Sequence, residues 1–106
     1  MKTINSKTER SIVANRIVAM VNDVITLLDN NYKVEHEKTD EKDCITIYDT
    51  ETFEFSIETI GKFSLAWKEF KADYGEAIKV KISTTPVMVN LGFVHAASIE
   101  IEVINK

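Results

Sequence analysis

The sequence predicts an α+β domain: one long N-terminal helix packed on an antiparallel β-sheet of about five to six strands, with a second short helix. Three observations predict it. Apolar residues fall at helical spacing over the first quarter of the chain. They fall at period two over most of the remainder. The breaks between periodic runs are short and polar, as in strands joined by tight turns.

The helix begins at Ser6-Lys7-Thr8-Glu9. A serine followed three residues later by a glutamate fits a capping box, in which each side chain satisfies a backbone N–H that the first helical turn leaves free. Val13, Ile17, Met20, Val21, Val24 and Leu28 then form an apolar stripe. Asn15, Asn22, Thr26 and Asp29 mark the opposite side, and Ile12, Val18 and Ile25 widen the apolar one. Asp29-Asn30-Asn31 supplies an end, because asparagine tolerates the left-handed backbone of a C-terminal cap. A helix over 7–29 is roughly 34 Å long and must lie across a sheet or against a partner.

Period-two alternation follows at Tyr32-Val34-His36, at Ile45-Ile47 and at Phe53-Phe55-Ile57. With polar breaks at Thr39–Lys42 and Asp49–Thr52, this predicts strands 32–37, 44–48 and 53–58 in a three-stranded meander with one wet face. In 62–75 the aromatic spacing of Phe63, Trp67, Phe70 and Tyr74 favours a helix, started by Ser64 and closed by Gly75. Ile78-Val80-Ile82 predicts a strand, Pro86 starts a further extended piece through Leu91, and Ser98–Ile104 is the last strand. The last strand offers an edge to another chain.

The chain has 106 residues, 44% apolar and 28% charged, which predicts one domain over 1–106 and excludes disorder. Cys44 is the single cysteine, and no run approaches a membrane span. No apolar stretch follows the first lysines, so no leader is expected. A soluble protein of the bacterial or host-cell cytoplasm, with no membrane contact, is the expectation. The net charge of −4 argues against direct nucleic-acid binding.

Candidate chemistry is sparse. Cys44 with His36 or His95 offers a thiol–imidazole pair, and Cys44 or His95 is the only centre around which a small enzyme or ligand-binding domain can be imagined. One cysteine and two histidines 59 positions apart do not make a zinc site. No glycine-rich phosphate motif occurs. No catalytic residue, metal or other cofactor is expected.

Two stretches depart from an ordinary surface. Nine acids lie between residues 35 and 58 with only two lysines. Glu35, Glu37, Asp40, Glu41, Asp43, Asp49, Glu51, Glu54 and Glu58, with Tyr48 central, are the candidate partner-binding residues, forming an acidic sheet face for a protein with a basic surface. The second stretch is Ile82–Ile99, eighteen residues without a formal charge, which suits either a buried strand or a self-association surface.

The Ile-, Lys-, Asn- and Glu-rich usage resembles that of small proteins of AT-rich bacteria and their phages. The function this reading expects is non-enzymatic: binding a partner macromolecule through the acidic face. One concrete form is a phage or mobile-element inhibitor of a host nucleic-acid-binding defence protein, in the manner of anti-CRISPR proteins. The alternative is a homo-oligomeric structural or assembly protein such as a virion component, with a homodimer as its simplest form.

Overall fold

The computed structural model describes residues 2–28 and 31–105. Helix α1 spans Lys7–Thr26. The capping box forms: Ser6 Oγ accepts from the Glu9 N–H at 3.1 Å, and Glu9 Oε2 accepts from the Asn5 N–H at 2.9 Å. Val13, Ala14, Ile17, Val21 and Val24 are buried along one stripe, whereas Ile12 is 55% exposed. The apolar side is therefore narrower in use than in composition. The helix closes on Leu27, three residues before the expected asparagine cap, of which Asp29 and Asn30 lie outside the described residues.

Strands β1 (Tyr32–Lys38), β2 (Lys42–Asp49), β3 (Ile78–Val89) and β4 (Gly92–Ile104) form one antiparallel sheet in the order β1-β2-β4-β3. Among the described residues four strands replace the expected five to six. The sheet's inner face presents Ile45, Ile47, Ile78, Ile99, Ile101 and Val103, all fully buried. They pack with the α1 stripe, Phe63, Ala66 and Phe70. Truncating one such side chain, Ile17 or Ile101 to alanine, costs about 2–5 kcal/mol through lost transfer energy and the cavity left behind.

Residues 53–58 are not the third strand of a meander. Ser56 Oγ accepts from the Thr59 N–H and caps helix α2 (Ile57–Phe63). The alternation of Phe53, Phe55 and Ile57 has another origin. Phe55 stacks on Tyr32 and meets the edge of Phe63, Phe53 takes φ 60°, and Ile57 is 90% exposed. The place beside β2 goes to β4, whose alternating isoleucines give β2 a longer apolar match. A 3₁₀ turn (Ser64–Ala66) and helix α3 (Lys68–Tyr74) follow, so the helical reading of 62–75 holds. Ser64 closes α2 rather than starting a helix. Gly75, at φ 57°, ends α3 as expected.

The extended piece expected from Pro86 is continuous with Ile78–Ile82 in the twelve-residue β3. β3 is an edge strand, so the N–H that Pro86 lacks deprives no second neighbour. Conversely, Ser98–Ile104 lies inside the sheet between β2 and β3 and has no free edge to offer.

Candidate docking surface

The ten predicted contact residues do not share a face. Asp43 and Asp49 are buried at 0% and 2% exposure. Asp43 is in phase with Ile45 and Ile47 and so points under α1. There its Oδ1 accepts from Arg10 Nε at 2.6 Å and its Oδ2 meets His36 Nε2 at 2.8 Å. Both carboxylate oxygens are thus engaged. Arg10, 2% exposed, also donates to the Thr39 and Asp40 carbonyls at 2.6 and 3.3 Å and to Asn105 Oδ1 at 2.9 Å. This cluster ties α1, the β1–β2 turn and the chain end together. Asp49 Oδ1 accepts from the Glu51 and Thr52 N–H groups and shapes the exit from β2.

Glu35 lies on the outer sheet face, and the other six acids separate into two groups. Glu37, Asp40 and Glu41 are exposed around the β1–β2 turn, with Asp40 paired to Lys7 at 3.0 Å. Hydrogen bonding to Lys7 holds the Asp40 carboxyl below its usual range. Glu51, Glu54 and Glu58 lie beyond the other end of β2; Glu51 accepts from Asn31, and Glu58 pairs with Lys62 within α2. A seven-residue strand, roughly 23 Å, stands between the groups.

The outer sheet face itself is mixed in charge. One row reads Glu35, Thr46, Glu100, Lys81 and the next Glu37, Cys44, Glu102, Lys79. Lys42 meets Glu102 at 3.0 Å and Lys81 meets Glu100 at 3.3 Å. The hydrogen bond from Lys42 holds the Glu102 carboxyl below its ordinary value. Tyr48, buried, donates its hydroxyl to Glu35 at 2.9 Å and is not an exposed anchor. The expected acidic sheet face is therefore absent, because the strand meant to complete it is a helix start and its place holds β4.

The thiol–imidazole pair is absent as well. Cys44 is on the outer face, while His36 lies on the inner face and His95 at an inner-face position of β3's partner strand. Burial pushes the Cys44 thiol up, against a hydrogen bond from Thr46, so the reactive thiolate is disfavoured. Among the described residues no group of three or more His, Cys, Asp or Glu is placed to hold a metal ion. Among the described residues no helix is long and apolar enough to cross a membrane. Two open clefts, about 280 and 430 Å³, meet at Lys2, Ile4 and Tyr74. Their basic rims are engaged, Lys2 with Asp73 and Arg16 over the Phe70 ring.

The uncharged stretch is where the surface departs most from the ordinary. β2 stops pairing with β4 at Tyr48–Ser98, but β3 and β4 continue together for six further pairs, from Thr84–Ala97 to Val89–Gly92. Beyond the Phe53 carbonyl, which accepts from the Ala97 N–H, the two strands run on as an arm roughly 20 Å long. Asn90 and Leu91 make its turn, and Gly92 takes φ 149°, a conformation that an L side chain rarely adopts. Ile82, just before the arm, and Pro86, Met88, Phe93 and His95 within it lie at inner-face positions and are exposed. Met88 is 75% exposed, Phe93 66% and Leu91, at the tip, fully. The helices that cover the sheet's inner face leave this part bare. The buried-strand reading of 82–99 holds for Ser98 and Ile99 but fails for the arm.

The buried Arg10–Asp43 pair was reachable from the sequence by phase. Arg10 is in step with Val13 and Ile17, and Asp43 with Ile45 and Ile47, so each is a charge on an apolar stripe. Comparison with protein-family models, with curated proteins and with solved structures finds no match.

Proposed function

We propose that this chain is a non-enzymatic binding protein whose contact surface is the β3–β4 arm. One observation carries the reading: a charge-free segment of eighteen residues holds Met88, Leu91 and Phe93 in water instead of in the core. A contiguous apolar patch left bare beside a well-filled core is the usual mark of a contact surface. Depletion of charge with retention of aromatic and methionine side chains is the composition of an interface centre.

A second reading keeps the acidic contact with a basic partner, including the inhibitor of a host defence protein. Its support is the exposed trio Glu37, Asp40 and Glu41 at the β1–β2 turn, where carboxylates favour a fast, steered encounter.

One capture experiment separates the two. The tagged chain is expressed in its native host beside an untagged copy, and captured protein is quantified by mass spectrometry. A Met88→Glu/Phe93→Glu variant should lose the captured protein, the untagged copy included. A Glu37→Lys/Asp40→Lys/Glu41→Lys variant should keep it. Equal capture by the arm variant and the parent overturns the first reading, and loss confined to the charge-reversed variant establishes the second in its place.

A further inference from the structure

We propose that the arm docks on a second copy of this chain, arm against arm about a two-fold axis, with Met88 of each copy seated on Phe93 of the other. The inference rests on the arm being a contact surface and names what covers it.

Charge is the first argument. The chain carries a net −4, so most surfaces of one copy repel the same surfaces of another. A two-fold interface sets one patch against itself, and any charge in it would stand near its like. The arm is the patch that escapes this, with no formal charge from Ile82 to Ile99. For a partner with a charged surface the same patch offers nothing to pair.

Register is the second argument. Met88 and Phe93 are direct cross-strand partners on the bare face. A two-fold axis crossing the arm there exchanges them, so each copy offers a flexible thioether to the other's ring, a contact favourable beyond its area. Pro86 and His95, the next pair on that face, are exposed and flank the contact.

Area is the third. The exposed Ile82, Met88, Leu91 and Phe93 offer on the order of 600 Å², close to the roughly 800 Å² per partner of a stable interface once the flanking pair is added. Face packing is the mode proposed, because Met88 and Phe93 stand on the face, and Pro86 on the β3 edge of the arm discourages strand addition there.

Sedimentation velocity from low to high micromolar concentration tests this. The parent chain should approach twice its 12.0 kDa mass. Phe93→Glu and Met88→Lys should each weaken association about thirtyfold or more, the effect of losing a central anchor. Leu91→Arg, at the fully exposed tip, provides a second disruption, and circular dichroism verifies the fold of each. The decisive sample is an equimolar mixture of Met88→Lys and Phe93→Glu chains. Across the axis the new lysine then faces the new glutamate, and the mixture should form the dimer that neither chain forms alone. A parent that stays monomeric throughout overturns the inference, while the contact reading is judged separately by the arm-dependent capture. A dimer indifferent to all three single variants overturns it too, as does a mixture that stays monomeric.

Discussion

The body of the molecule and its arm treat their awkward groups in opposite ways. In the body, a guanidinium and a carboxylate are taken out of water beside a partly buried imidazole, and each is met by a partner at 2.6 to 2.9 Å. In the arm, large apolar side chains are left in water with nothing over them. A buried ion cluster is weak evidence for net stability but strong evidence for a unique arrangement, because removing one member strands the others. An uncovered apolar ribbon is the reverse: it adds little to the stability of one chain and has its value only when something covers it. Stability therefore resides in the body, and the arm is the part free to serve the contact proposed above.

The sharpest way to break that assignment is to remove Arg10. Arg10→Ala leaves Asp43 buried with His36 alone and should cost about 3–5 kcal/mol in urea unfolding. A loss below about 1 kcal/mol would mean that water or relaxation replaces the guanidinium, and that the body is not locked there. Ser6→Ala removes the hydroxyl that caps α1 and should cost about 1 kcal/mol by the same measurement. Ser98→Ala goes the other way. Ser98 is fully buried, its hydroxyl has no partner, and replacing it should raise stability by roughly 0.5–1 kcal/mol. Phe93→Glu should have the smallest effect on the isolated chain, within about 0.5 kcal/mol at concentrations too low for association. A cost of several kcal/mol there would place Phe93 in the core and erase the distinction between the two regions.

Most of the body was legible in the sequence. Ser6 and Glu9 marked the start of α1, the Val13–Val24 stripe its buried side, and the period-two runs through Ile45, Ile78 and Ile101 the strands. What escaped was decided by competition between segments. Phe53-Phe55-Ile57 alternates as a strand does, yet β4 offers β2 a full ladder of isoleucines, and Ser56 can cap a helix. Period two says that a segment is extended; it does not say which neighbour it wins. The same gap explains the acidic face, whose carboxylates were read correctly as exposed at Glu35, Glu37, Asp40, Glu41, Glu51, Glu54 and Glu58, but were assembled on a strand order that does not form. Asp43 and Asp49 failed for a different reason: each is in phase with the apolar positions of β2, and phase outweighs charge when a partner such as Arg10 is waiting. The uncharged stretch was visible as a composition, but whether such a stretch lies inside or outside depends on how far its neighbours extend. Here β2 ends at Asp49 and the arm continues without it.

The Arg10 cluster also has a bearing on time. The bonds that Arg10 itself makes join residues 29 to 95 positions apart in the chain, whereas β3 and β4 zip from a two-residue turn. Loops of that length are slow to close, and local pairings precede them. The clamp is therefore expected among the last features to assemble and the first to open. Weakening Arg10 should leave the refolding rate nearly unchanged and appear almost entirely as faster unfolding. The residue that fixes the architecture would then also set how long a folded chain lasts.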